Sequence, residues 1–324
     1  CCQNRLIRLL KFYFIIILSF LFNQEIINFS SANPFTFKDI IISLESQESQ
    51  DVYGILRLPI GNNTLEKYPL IIGVAGSLGW SDHHLEYMDM YRRIGIATFE
   101  LKSFSSRGVT STVGSQSDVT MAMMVLDSYR ALDILSQHPK IDISKVAITG
   151  WSLGGGVSLF TAWKKIIDSI NPNNKFIAHL PIYPPCFIQP DNIEFGNSPI
   201  HILIGELDDW TPASACENLV DKISKNKKNI DITVYSNSHH SFDSGKSLKV
   251  IPNAYSFKDC MFDMNDEGSV LMNYLNIPMN NSFLQKIGLS FCISRGTTVG
   301  GNKLAKEKSL NFSKEFMSRH LLNK

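Results

Sequence analysis

The sequence has no excess of charge of either sign. Its 324 residues hold 31 Lys and Arg against 30 Asp and Glu, a formal net charge of +1. That balance gives no reason to expect a nucleic acid as partner. Charged residues make up 19% and hydrophobic ones 44%, the proportions of a globular chain with one sizeable core. Internal repeats and low-complexity tracts are missing, which excludes solenoids and repetitive disordered arrays. No glycine-rich loop of the phosphate-cradling kind occurs, and no dinucleotide fingerprint, so no cofactor is expected. His83 and His84 have no third residue at metal-ligand spacing, so no metal is expected either.

Long apolar runs are also scarce. Arg5, Arg8 and Lys11 precede the run Phe12 to Phe22, which is followed by the polar Asn23-Gln24-Glu25. The run is too short to cross a bilayer comfortably but has the length of a signal-peptide core. Ser30 and Ala32 are small residues at the −3 and −1 positions of a cleavage before Asn33. The expectation is a signal peptide over 1–32, a single domain over 33–324, and an exported product, periplasmic or secreted. The alternative is a membrane anchor formed by the same segment left uncleaved. Cys1 and Cys2 precede the apolar run and so cannot be the lipid-bearing cysteine of a bacterial lipoprotein.

Only four cysteines remain: Cys186, Cys216, Cys260 and Cys292. An even number in an exported chain points to two disulfides, whereas in a cytosolic enzyme four buried thiols would be expected. Cys186 follows one predicted strand end, and Cys216 lies early in the helix after the next. Both should sit near the same sheet edge, which predicts a Cys186–Cys216 bridge and leaves Cys260 with Cys292.

What the sequence does have is organised around Gly150-Trp151-Ser152-Leu153-Gly154. The stretch before it, Lys145 to Thr149, is short, apolar and β-branched, as a buried parallel strand should be. Val157 to Ile167 has the composition of a helix packed on a sheet. A strand, Gly-x-Ser-x-Gly, then a helix is the context of a nucleophile elbow, in which the serine is lifted out of the sheet on a strained turn. A glycine-rich turn with a passive serine is the plainer alternative.

Further strands and helices alternate along the chain. Thr36–Ile42 and Val52–Leu58 read as an antiparallel edge hairpin, Asn62-Asn63 as a turn, and Tyr68–Ala75 as the first central strand. A helix over Leu85–Arg93 leads to a strand at Ile96–Phe99. Asp118 is placed to cap a long helix whose Met121 and Met124 read as core filling. Strands are expected at Phe176–Ile182, Pro199–Gly205 and Ile230–Tyr235. Thr211 reads as a helix cap before Pro212, and Asn302 as the cap of a final helix. Residues 243–300 show no sustained period and read as an irregular, disulfide-stapled excursion beside the site. The pattern predicts an α/β fold with a doubly wound, mostly parallel sheet.

Ser152, Asp208 and His240 each follow a predicted strand and occur in the order Ser, acid, His. In a parallel sheet the C-terminal strand ends share one edge, so the three can converge there. Ser152 would attack a carbonyl, His240 would take its proton, and Asp208 would orient the imidazole. The backbone N–H groups of Leu153 and Ser77 would form the oxyanion hole. Counting from the strand end does not separate His240 from His239.

The chain resembles the dienelactone hydrolase family of α/β-hydrolases. Ile141 to Gly155 is similar to the family's elbow and its approach, and Gly205 to Pro212 to its acid loop. His240-Ser241-Phe242 resembles its His-Gly-Phe, and Ser103-Phe104 with Arg107-Gly108 is similar to a loop of some members. The resemblance runs from about Val52 to Phe242 and includes the final helix. It implies an α/β-hydrolase fold, selects His240 over His239 and Asp208 over Asp209, and implies an aromatic packed behind the imidazole. The family's best-known members have Cys where this chain has Ser152, which favours generic ester hydrolysis over dienelactones. Ala75 stands where many relatives have His, and residues 243–300 have no counterpart.

The expected activity is therefore an exported serine hydrolase of carboxylic esters or lactones, acting on a small-molecule substrate. The alternatives are a peptidase of the same fold and a non-catalytic binding protein on that scaffold. Arg107 is a candidate for binding a substrate carboxylate, or for bracing its own loop. His83 and Trp210 are further candidates for substrate binding in the pocket, and Trp210 is also expected to pack over the acid loop.

Overall fold

A computed structural model describes residues 24–59, 65–170, 172–225 and 229–322. Residues 1–23, read from the sequence as most of a leader, and Asn62-Asn63, read as a turn, lie outside that set. The chain enters through an antiparallel pair, β1 (Gln24–Ala32) and β2 (Ser49–Arg57), aligned over nine residue pairs. Between them runs α1 (Phe37–Ser43). The expected hairpin is thus real, but its first strand is 24–32 and not Thr36–Ile42. Thr36 and Asp39 form a reciprocal capping box that turns the Ile40-Ile41-Ile42 run into helix. Asp39 Oδ2 accepts from the Thr36 N–H at 2.8 Å. Residues 24–32, read as part of a leader, are here an edge strand that buries Phe29 and Ala32.

The rest of the sheet follows the alternation of apolar stretches and helices. In order come β3 (Tyr68–Val74), α2 (Asp82–Arg93), β4 (Ala97–Leu101), the single turn α3 (Ser103–Ser106) and α4 (Met121–Leu135). Then come β5 (Ile141–Trp151), α5 (Leu153–Phe160), α6 (Lys164–Ile170), β6 (Ala178–Ile182), β7 (Ile188–Pro190) and β8 (Ile200–Gly205). Last in this group are α7 (Ala213–Ser224) and β9 (Ile230–Tyr235). The eight-stranded sheet has the order β1-β2-β4-β3-β5-β6-β8-β9. Strands from β4 onward in that order are parallel. All seven residues of β3 are buried, as a strand covered on both faces requires. α4 is capped by Thr120, which accepts from the Met123 N–H, and not by Asp118.

Residues 243–300 are more ordered than their sequence suggests. They hold β10 (Lys249–Ser256), β11 (Phe262–Met264), α8 (Ser282–Ser290) and β12 (Ser294–Val299). β10 pairs antiparallel with β12, and β11 runs parallel to the distant β7. Such short, non-local pairings leave no period in the sequence. The segment forms a cap over the sheet edge and is followed by α9 (Lys303–Leu321), capped by Asn302. Among the described residues no helix is long and apolar enough to cross a membrane.

Two disulfides join the expected pairs. Cys186 and Cys216 have Cα atoms 4.9 Å apart, and Cys260 and Cys292 5.1 Å. The first ties β7's approach to α7, and the second closes the cap on itself.

Candidate active site

β5 ends at Trp151, and the next residue reverses the backbone. Ser152 has φ 55° and ψ −117°, a conformation that costs a non-glycine residue of order 1–3 kcal/mol and persists only where surroundings impose it. Its neighbours explain how. A Cβ on Gly150 would lie 2.1 Å from the Gly154 carbonyl oxygen, and one on Gly154 would lie 2.2 Å from that of Val74. Only glycines allow the strand and helix to close this tightly around the serine. Leu153 begins α5, so its N–H is among those without an intrahelical acceptor. Ser77, in the loop after β3, lines the same cavity as Ser152 and Leu153.

The acid comes from the loop after β8. Asp208 Oδ1 accepts from the backbone N–H groups of Trp210 at 2.9 Å and Thr211 at 2.8 Å. That leaves Oδ2 for His240, whose Nδ1 lies 2.7 Å away. On the other side of the ring, Nε2 is 3.0 Å from Ser152 Oγ. All three side chains are buried, with Ser152 the most exposed at 9%. The structure therefore brings the three predicted residues into one hydrogen-bonded chain at the sheet edge. The tight turn after His240 places Ser241 at φ 57°, a region that favours glycine.

Thr211 has a role its sequence context hides. α7 starts two residues later, with Pro212 at the cap position, and Thr211 turns back toward the acid. Its Oγ1 lies 3.1 Å from Asp208 Oδ2, from His240 Nδ1 and from the Tyr183 carbonyl. Its single proton can serve either oxygen. Tyr183 is the second residue that sequence reasoning missed. It has φ 39°, and its ring lies 4.6 Å from that of His240. Trp210 lies 4.9 Å from the imidazole on its own account. These two rings cover the imidazole, whereas Phe242 packs on Tyr183 and Tyr235.

The other candidates lie elsewhere. Arg107 does not line the cavity. Its guanidinium grips Asp127 at 2.8 and 3.1 Å and reaches the Ser103 and Ala32 carbonyls and Asn33 Oδ1. It is a brace between the 103–108 turn, α4 and the end of β1. His83 and His84 sit on α2, not in a loop. His83 Nε2 is 3.4 Å from the Tyr183 hydroxyl, which donates to the buried Asp243 at 3.0 Å. Burial lowers the His83 pKa, and the nearby Asp243 opposes that. His84 stacks on Trp151, and burial holds its pKa well below the ordinary histidine range. Among the described residues no group of three His, Cys, Asp or Glu is placed to hold a metal ion.

Above Ser152 lies a cavity with about 950 Å³ of space free of protein atoms, part of it open to solvent. Met121 lines it and is therefore more than core filling, while Met124 is buried as expected. Trp210, beyond packing over the acid loop, also forms part of the wall. The cap supplies Phe257, Phe262, Val270, Met279, Gln285 and Leu289. Asp209, the neighbour of the acid, accepts from the Thr298 N–H at 2.9 Å and so pins β12 of the cap.

Residues 88–259, just over half of the chain, match the profile of the Dienelactone hydrolase family. A dienelactone hydrolase-like promiscuous phosphotriesterase from metagenomic libraries is 14% identical, covering 92% of this chain and 99% of its own, with a TM-score of 0.54. A Klebsiella pneumoniae protein assigned as a dienelactone hydrolase is 17% identical over 68% of this chain and 89% of its own, with a TM-score of 0.47. An esterase of Thermogutta terrifontis is 14% identical over 65% and 84%, with a TM-score of 0.49. No curated protein matches the chain. The profile match spans the elbow, the acid loop and the histidine loop, and with it the chain belongs to the dienelactone hydrolase family of α/β-hydrolases.

Proposed function

We propose that the protein is an exported serine hydrolase that cleaves carboxylic esters, lactones included, through an acyl-enzyme on Ser152. Ser152 Oγ attacks the carbonyl carbon while His240 Nε2 takes its proton. Asp208 accepts the Nδ1–H bond, fixing the tautomer and stabilising the imidazolium. The negative oxygen of the tetrahedral intermediate is held by the Leu153 and Ser77 N–H groups. His240 then returns the proton to the departing alcohol, and the carbonyl bond re-forms with the acyl group on Ser152. Water, deprotonated by the same imidazole, attacks the acyl-enzyme and releases the acid.

The observation that carries this reading is the continuous chain Asp208–His240–Ser152, with separations of 2.7 and 3.0 Å, ending at the floor of a cavity. The two disulfides support an oxidising compartment and hence export. The test is labelling with a fluorophosphonate, which only an activated serine captures quickly. The label is expected on Ser152, and Ser152→Ala is expected to lose both the label and ester turnover. A label on another residue, or wild-type turnover by Ser152→Ala, sinks the proposal.

A further inference from the structure

Among the described residues, none that lines the cavity above Ser152 carries a charged side chain. Three of its polar side chains make hydrogen bonds within the protein. Thr36 Oγ1 lies 3.2 Å from Asp39, Thr120 Oγ1 donates to the Pro34 carbonyl, and Gln285 Nε2 donates to the Gln116 carbonyl. The ester-sized polar spot at Ser152 stays available to a ligand, and the further polar residues Ser77 and Gln116 that line the cavity are uncharged. The remaining wall is aromatic and aliphatic, and much of it belongs to the cap.

We infer that the site selects neutral esters with an extended apolar acyl group and rejects acids and other anions. This rests on the reading of Ser152 as the nucleophile. An anionic substrate tail would lose its hydration in the cavity without meeting a counter-charge. Arg107, which the sequence offered for such a carboxylate, is occupied by Asp127. An apolar tail instead gains with each buried methylene.

The cap helix α8 and the strand-like approach to it set how long that tail can be. Leu289 of α8 and Met279 face the cavity. Behind them the packing is tight, since a Cβ on Gly288 would lie 2.1 Å from Met279 Sδ. The helix is seated directly on Met279, and Cys260–Cys292 holds its far end. The wall is therefore firm enough to discriminate by length.

The experiment compares kcat/KM of the wild-type protein on 4-nitrophenyl acetate, octanoate, heptanoate and the mono-adipate, with Ser152→Ala as control. Octanoate is expected to exceed acetate by roughly tenfold or more. The mono-adipate, similar in length to heptanoate but anionic, is expected to fall at least about a hundredfold below it. Leu289→Trp should lower the octanoate-to-acetate ratio by about tenfold. Equal turnover of the adipate and heptanoate esters, or no preference for octanoate, overturns the inference. So does an unchanged ratio in a folded Leu289→Trp; should that variant not fold, the wild-type comparisons decide. Ser152→Ala separates the two levels. If it retains turnover, the catalytic reading fails; if turnover needs Ser152 but favours the anion, only the substrate class fails.

Discussion

His240 Nδ1 meets Asp208 Oδ2 at 2.7 Å while Asp208 Oδ1 is held by the N–H groups of two following residues. The adjacent Asp209 faces the opposite way and binds the Thr298 N–H. Under the proposed mechanism the two acids divide between the chemistry and the cap. Asp208→Asn is expected to lower kcat by about three to four orders of magnitude, since the amide can favour the wrong imidazole tautomer. Asp209→Asn should mainly raise KM for long esters by loosening β12. His240→Ala should be as damaging as the loss of Asp208, and His239→Ala nearly silent. Steady-state kinetics on one ester, with the four variants side by side, checks the assignment; equal losses at 208 and 209 would refute it.

The parts of the site that the sequence revealed are those written locally at a strand end. Gly150 to Gly154, Gly205 to Asp208 and His240 to Phe242 each pair a strand with a turn whose residues have few alternatives. The cap was hidden because β11 finds its partner β7 far back in the chain, and no local pattern encodes that. Ile40 to Ile42 looked like a strand because β-branched residues favour strands, yet the Thr36–Asp39 box outweighs them. The same box was visible in the sequence as Thr-x-x-Asp. Tyr183 and Thr211 could not be found from spacing, because their roles depend on how two loops fold against one imidazole.

Arg107 and Asp127 form a buried ion pair, with side chains 6% and 0% exposed. Removing one partner of such a pair leaves an uncompensated charge and costs about 3–5 kcal/mol. Arg107→Met is expected to destabilise the protein by that amount in urea unfolding. KM of the molecules that remain folded should hardly move. A substrate-binding arginine would behave the other way, raising KM with little loss of stability.

His179 lies in the middle of the core, where burial pushes its pKa down to about 4, partly opposed by a hydrogen bond to the Ser158 carbonyl. Above pH ~6.5 the ring is neutral in the folded and unfolded chain alike, and the native state loses nothing to it. As pH falls from there toward 4, the unfolded chain takes a proton that the folded one refuses. Stability should drop across that window, by about 2 kcal/mol at pH 5 from this residue alone. Urea titrations of the wild type and His179→Gln at pH 7 and 5 check this. The variant should lose less stability on acidification, and parallel losses in both would refute the assignment.

Ser30 and Ala32 suit a cleavage site in sequence, but both belong to β1, which pairs with β2 through Ala32↔Ser49. Cutting before Asn33 would remove the whole strand, expose the outer edge of β2 and strip Arg107 of its bond to the Ala32 carbonyl. It would also uncover the surface that Phe29 now buries. An exported chain that folds as described must therefore keep β1, so the cut should fall before Gln24. N-terminal sequencing of the exported protein is expected to begin at or ahead of that residue. A mature N-terminus at Asn33 would contradict the prediction. A version made to start at Asn33 should unfold at lower urea than one that starts at Gln24, because the sheet would end on an uncovered strand.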